Sequence, residues 1–252
     1  MTIKPILTSC AAVALLFGAA DSQAGDRRFV YTYEATTAPK GTLEFEQWIT
    51  WKANRETGGN SNQFDFRHEL EWGVTDRLQL GFYLSDWSVK YEDSHTEADW
   101  KAVAVEAIYN LTNPTTDFLG SALYGEVKVG DEVFALEGKL LLQKNLGPWI
   151  VAYNAIVEAE WEGRSYDEEV GVFEQTLGVS YQVTPKFSVG AELLHEVEFE
   201  EWGDAGDHVV YAGPNASLRF GRAFATATVL FQATDIDDEP DVQSRLIFGI
   251  HF

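Results

Sequence analysis

Arg245-Leu246-Ile247-Phe248-Gly249-Ile250-His251-Phe252 closes the chain. Leu246, Phe248, Ile250 and Phe252 fall on one parity, and Arg245, Gly249 and His251 on the other. That spacing predicts a strand with one apolar and one polar face. Two settings suit a strand that ends the chain on an aromatic. It closes a membrane barrel, or it is the buried last strand of a soluble sandwich. The choice turns on whether the pattern recurs.

It recurs along most of the chain. Leu43, Phe45, Ile49 and Trp51 alternate with Glu44, Glu46, Trp48, Thr50 and Lys52, and Phe64, Phe66, Leu70 and Trp72 with Asp65, Arg67, Glu69 and Glu71. The same alternation runs on to the closing strand. Roughly twelve such segments, most of roughly 9 to 13 residues, suit tilted crossing of a hydrocarbon layer. Soluble strands are nearer about 5 or 6 residues. Short turns at 74–77, 145–148, 183–186 and 221–222 interleave with longer loops at 54–62, 92–99, 163–170, 201–207 and 235–241. Links 112–120 and 130–132 break that order, the first long on the short side and the second short on the long side. Short turns at one end and long loops at the other are the outer-membrane arrangement, with both termini on the periplasmic side. The turn around Val74-Thr75-Asp76-Arg77 is nearly copied at Val183-Thr184-Pro185-Lys186. This is one hairpin turn used twice.

The N-terminal region reads differently. Lys4, an apolar stretch from Ile6 to Phe17 and Ser22-Gln23-Ala24 form a secretory signal peptide over residues 1–24. The mature chain is then expected to start at Gly25 and to lack Cys10, the one cysteine, which excludes disulfides and thiolate metal sites. Residues 25–40 are expected to form a periplasmic lead-in or a small plug, because Phe29 to Tyr33 has strand propensity that 36–41 breaks off. Residues 41–252 are the barrel. The formal charge is −22, from 18 Lys and Arg against 40 Asp and Glu, and it argues against nucleic acid as a partner. Aromatics make up 13% of the chain, which excludes simple acidic disorder.

Aromatics near strand ends, among them Trp51, Trp72, Trp149, Trp161, Tyr181, Phe199, Phe220 and Phe252, suit the two interfacial girdles of a membrane barrel. The opposite parity is charged. Its acids are Glu44, Glu46, Asp65, Glu69, Glu71, Glu106, Glu126, Glu137, Glu158, Glu160, Glu174, Glu192, Glu196 and Glu198. Its bases are Lys52, Arg67, Lys128, Lys139, Arg219 and Arg245. In a closed barrel these residues line the lumen. An open lumen with surplus acid favours small cations. A closed one uses the pairs and bound water as a polar core.

Catalytic chemistry is not expected. A barrel acyl hydrolase needs Ser with a His base at matched strand positions. None of His68, His95, His195, His208 and His251 has Ser two residues on, and Asp93-Ser94-His95 is a run of adjacent loop residues. His68 and His195 fall on the apolar parity. The loop Asp235-Ile236-Asp237-Asp238-Glu239-Pro240-Asp241 lacks the spacing of a known Ca²⁺ loop and reads as solvated. No cofactor and no metal site is expected.

Phe29-Val30-Tyr31-Thr32-Tyr33-Glu34, Pro39-Lys40-Gly41, Glu44-Phe45-Glu46-Gln47-Trp48, Gly73-Val74-Thr75-Asp76-Arg77, Tyr211-Ala212-Gly213-Pro214 and Arg245-Leu246-Ile247-Phe248-Gly249 together resemble a family of uncharacterised bacterial outer-membrane β-barrel proteins. The resemblance runs over nearly the whole mature chain and implies the fold and the location, with no substrate or catalytic residue to carry over. The expectation is a closed antiparallel transmembrane β-barrel of the Gram-negative outer membrane, all-β, of about twelve strands. Its partners are outer-membrane lipid and the barrel-assembly machinery, which would read Leu246, Phe248, Ile250 and Phe252 in the closing strand. The leading functional expectation is a porin-like or uptake channel with a cation-favouring lumen. The alternatives are a closed structural or surface-interaction barrel and a soluble secreted sandwich.

Overall fold

Period-two alternation becomes strand wherever it occurs, and the strands close on themselves. The computed structural model describes residues 27–54, 61–92, 95–237 and 239–252. The signal segment 1–24 with Cys10, the start at Gly25, loop residues 55–60, and Asp93, Ser94 and Asp238 lie outside the described residues. The first six strands are β1 (Leu43–Asn54), β2 (Ser61–Thr75), β3 (Leu78–Glu92), β4 (His95–Thr112), β5 (Gly120–Gly130) and β6 (Val133–Leu146). The next six are β7 (Trp149–Glu162), β8 (Glu168–Thr184), β9 (Phe187–Glu200), β10 (Val209–Phe220), β11 (Ala223–Gln232) and β12 (Val242–His251). Each pairs antiparallel with its neighbours in sequence, and β1 pairs with β12, so no edge is left open. The closing strand is pinned at its tip, where the Phe252 amide donates to the Leu43 carbonyl at 2.8 Å.

Side-chain parity follows the sequence. Leu246 and Phe248 are 41% and 40% exposed on the outer face, whereas Ile247 between them is fully buried inside. The near-copied turns share a threonine device: Thr75 Oγ1 accepts from the Arg77 and Leu78 amides, and Thr184 Oγ1 accepts from the Lys186 amide. Gly147 (φ 60°) and Gly221 (φ 68°) supply the left-handed positions of two other short turns. Outer aromatics meet in pairs at both ends, with Trp149 and Tyr181 at 4.8 Å and Phe134 and Trp161 at 5.5 Å between ring centroids.

One expected loop is not a loop. Most of 92–99 is strand, because the β3–β4 hairpin continues past the point where β5 stops, with Gly130 opposite Ala102. Above that level Trp87 lies opposite Trp100 and Lys90 opposite Glu97. Such cross-strand pairs hold a two-stranded ribbon together without a neighbour. Acidic composition masked the underlying alternation.

The barrel is not hollow at its short-turn end. Residues 27–40 run through that end without joining the sheet: Phe29, Val30, Tyr31, Thr32, Tyr33 and Ala35 are buried inside, whereas Thr36 and Lys40 are exposed. Tyr31 and Tyr33 pack in one apolar cluster with inward-facing Trp48, Tyr124, Leu141 and Ile247.

Candidate functional site

The inner wall presents polar side chains where a crossing segment has backbone groups to satisfy. Glu192 on β9 accepts three consecutive amides, from Val30 at 2.9 Å and from Tyr31 and Thr32 at 2.8 Å. It also accepts the Thr228 hydroxyl at 2.6 Å. Asn154 on β7 takes both ends of one residue, accepting from the Tyr33 amide at 2.6 Å and donating to its carbonyl at 3.0 Å. Gln143 and Gln79 accept from the amides of Ala35 and Ala38 at 2.8 and 2.7 Å. Asn215 donates to the Arg28 carbonyl, and Ser217 and Thr226 donate to that of Arg27. A segment buried outside the sheet survives only if its backbone groups find partners in this way. Apolar fit reinforces it: a Cβ on Gly178 would stand 2.6 Å from the Phe29 ring.

The charged wall residues are largely paired. Arg27, contributed by the crossing segment, lies 3.0 Å from Glu46 and 3.6 Å from Glu71, with its guanidinium 4.4 Å from the Trp48 ring centre. Arg67 makes a bidentate pair with Asp86 at about 3 Å and stacks on Tyr83. Lys128 lies 3.0 Å from Glu158, 3.8 Å from Glu160 and 3.9 Å from Glu126. Lys139 pairs with Glu137 at 2.9 Å and sits 4.4 Å from the ring centres of both Tyr33 and Tyr124. Lys52 reaches Asp65 at 3.5 Å, and Glu44 reaches His251 at 2.6 Å. Arg245 donates to Thr50 and lies over Tyr31. Glu106 accepts the hydroxyls of Tyr83 and Tyr124, and Tyr124 also donates to Glu126. Glu174 and Glu196 are opposite each other on β8 and β9, Glu198 is exposed at the rim, and Arg219 is half-buried at the short-turn end. Glu69 is fully buried, and neither of its carboxylate oxygens has a hydrogen-bond partner among the described residues.

Register orders these groups into a ramp. Glu44 is opposite Glu71, Glu71 opposite Gly81, Gly81 opposite Glu106, Glu106 opposite Glu126, Glu126 opposite Glu137, and Glu137 opposite Glu158. Seven strands in succession thus carry six glutamates and one glycine in direct opposition. Because strands in a closed barrel are staggered, this row climbs from the short-turn end at β1 toward the long-loop end at β7. Like charges directly opposite one another cost stability.

Above the crossing segment the lumen opens. A cavity of about 850 Å³ at the long-loop end is lined by Trp48, Asp65, Arg67, Lys128, Glu160 and Arg245 among others. Beneath it a second cavity of about 230 Å³ ends on Tyr31 and Tyr33. On the short-turn side of the segment the space shrinks to about 60 Å³. The β11–β12 loop, which reads as solvated in the sequence, is partly drawn into the mouth. Gln232 holds it there, accepting from the Ile236 amide and donating to the carbonyls of Ile236, Glu239 and Pro240. Glu239 and Pro240 then line the smaller cavity, while Asp235, Asp237 and Asp241 stay exposed.

Sequence reasoning missed Arg27, Asp86, Tyr83 and Tyr124 as site residues. Arg27 precedes the alternating region, and β-bulges near Tyr83 and Asp86 break the count from which parity is read. Of the histidines, His195 faces outward, as its parity predicts, and stacks on His208 of the β9–β10 loop at 5.2 Å. Glu34, in the crossing segment, accepts the Arg28 amide at 3.0 Å. Burial pushes its carboxyl up to about 7, against the lowering effect of that hydrogen bond.

Known structures share this architecture. The chain is similar to the COG4313 outer membrane channel from Pseudomonas putida F1, with 13% identity over 89% of this chain and 100% of that one and a TM-score of 0.66. It is also similar to the translocator domain of the autotransporter NalP from Neisseria meningitidis, with 15% identity, 84% and 89% coverage and a TM-score of 0.54. The NanC porin matches with 8% identity, 83% and 98% coverage and a TM-score of 0.52. At these identities the likeness concerns the fold, a closed antiparallel barrel of the outer-membrane kind. No curated protein matches. A family described as "Family of unknown function (DUF6662)" matches residues 21–240.

Proposed function

This chain belongs to the family of unknown function DUF6662, and from that premise we propose that it is an outer-membrane, porin-like barrel whose lumen admits small cations. Residues 27–40 act as its plug, and a signal peptide exports it. The observation that carries the reading is the glutamate ramp from Glu44 to Glu158. A wall that opposes acid to acid across successive strands gives up stability, and a cation path is the use that repays that arrangement. Lys128, Lys139 and Arg67 space the carboxylates without outnumbering them, so the water-filled part of the lumen repels anions. Planar-bilayer recording in a salt gradient tests this. The expected reversal potential has the cation sign, and the plugged protein conducts weakly. Deleting residues 27–40 raises the conductance while keeping that sign. Anion preference in the unplugged barrel removes the proposal.

A second reading has its own support. The plug's backbone is satisfied by side chains from β3, β6, β7, β9, β10 and β11, which suits a permanently closed structural barrel. Absence of conductance steps both with and without residues 27–40 would favour that reading.

A further inference from the structure

Glu69, Glu71 and Glu106 face one another across β2, β3 and β4, and one carboxylate oxygen from each lies within 4.8 Å of the others. All three are buried, at 0%, 6% and 1% exposure. The two oxygens of Glu69 and Oε1 of Glu106 are the carboxylate oxygens that are buried without a hydrogen-bond partner among the described residues. Room for the group comes from Gly81 on the strand between them, where a Cβ would stand 2.7 Å from Glu69 Oε1 and 2.5 Å from Glu106 Cγ. The other oxygen of Glu106 is already committed to Tyr83 and Tyr124, which leaves Oε1 buried and without a partner.

We propose that Glu69, Glu71 and Glu106 bind a resident hard divalent cation of the Ca²⁺ class, cradled over Gly81 behind the plug. Three points carry it. A buried carboxylate with two free oxygens costs several kcal/mol unless an ion or proton answers it. The donor set is all carboxylate oxygen, with no imidazole or thiolate, and this selects Ca²⁺ or Mg²⁺ over zinc or copper. Two oxygens bound to one Ca²⁺ stand no farther apart than about 4.6 to 5.2 Å, twice its usual bond length, and the three carboxylates each bring an oxygen within 4.8 Å of the others. Fixing β2 to β4 through one ion also offsets the like-charge opposition of Gly81's two glutamate neighbours, Glu71 and Glu106. The site shares Glu71 and Glu106 with the ramp, but it is read by ion binding to the folded protein and does not depend on conduction.

The probe is Tb³⁺, with Ca²⁺ as competitor, on the folded full-length mature protein in detergent. Tyr83 and Tyr124 bond Glu106 directly and serve as the energy donors. Wild type is expected to show one saturable sensitised emission that Ca²⁺ displaces. Glu69→Gln is expected to weaken Tb³⁺ binding by about tenfold or more, since removing even a group that only supports a ligand costs about that much. Gly81→Ala, which fills the cradle without changing charge, is expected to do the same. A variant with Asn at Asp235, Asp237 and Asp241 reports ions held by the exposed loop and is expected to keep the emission. If Glu69→Gln loses heat-modifiable gel migration and is unfolded, Glu106→Gln and Gly81→Ala supply the reading. Absent emission in wild type means that the carboxylates share protons instead, and it overturns the proposal. Emission that survives Glu69→Gln and Gly81→Ala but vanishes in the loop variant overturns it as well. Either result leaves the bilayer measurement of ion preference untouched.

Discussion

Glu192 and Glu69 are buried alike, at 2% and 0% exposure, and the two sides of the barrel treat them in opposite ways. On the β9 side, Glu192 collects the amides of Val30, Tyr31 and Thr32 and the hydroxyl of Thr228, so the carboxylate becomes the anchor of the crossing segment. Three successive N–H groups form a small anion nest around it. On the β2 side, Glu69 faces two further glutamates and no donor. The crossing segment touches both sides, yet it brings three backbone donors to Glu192, none to Glu69, and its guanidinium to Glu46 and Glu71 beside Glu69. The difference shows that a buried charge in this lumen is defined by what crosses the barrel and not by the strand that carries it.

The largest effect that would break this contrast is removal of the anchor. Glu192→Ala strands three amides and a hydroxyl. Because hydrogen bonds to a charged acceptor contribute about 1.5 to 3 kcal/mol each, the loss is expected to be about 3 kcal/mol or more. It is read as a lower heat-modifiability midpoint, with new trypsin cleavage at Arg27, Arg28 or Lys40. A variant that keeps the midpoint and resists trypsin would mean that apolar packing of Phe29 and Tyr33 holds the plug alone. On the other side the sign reverses. In chelator, Glu69→Gln is expected to raise the unfolding free energy by about 1 to 2 kcal/mol, read as a higher midpoint, because it removes an uncompensated buried charge. A fall would show that the carboxylate is already satisfied in the ion-free protein.

The smallest effect sharpens the comparison within the plug itself. Burial raises the Glu34 carboxyl from 4.5 to about 7, and it is surrounded by Arg27, Arg28 and Glu192. A folded-state value above the unfolded one makes the protonated form the stabilising one. This contribution is therefore complete below about pH 4.5, declines as pH rises toward 7 and is flat above it. Stability measured from pH 5 to pH 8 is expected to slope less in Glu34→Gln than in wild type. Equal slopes would assign the pH dependence elsewhere.

Much of the architecture was legible in the chain. Leu246, Phe248 and Ile250 against Arg245 and His251 reveal a two-faced strand without any knowledge of neighbours, because alternation is a property of one strand. The interleaved turns then give an even count and place the termini at one end. Legibility failed where a second element intervened. The acidic run 92–99 reads as loop until Trp87 is seen opposite Trp100. The loop that carries Glu239 reads as solvated until Gln232 is seen to hold it in the mouth. Arg27 gives no periodic signal at all, since it belongs to no strand.

Strand number, face parity and the uneven ends were written in local order, which physical chemistry reads one segment at a time. Partner identity was not. Val30 and Glu192 are 162 positions apart, and Thr226 and Arg27 are 199 apart. Only barrel closure and its stagger decide which side chains share a level of the lumen. That decision turned one glutamate into the crossing segment's anchor and left another facing its own kind across a glycine.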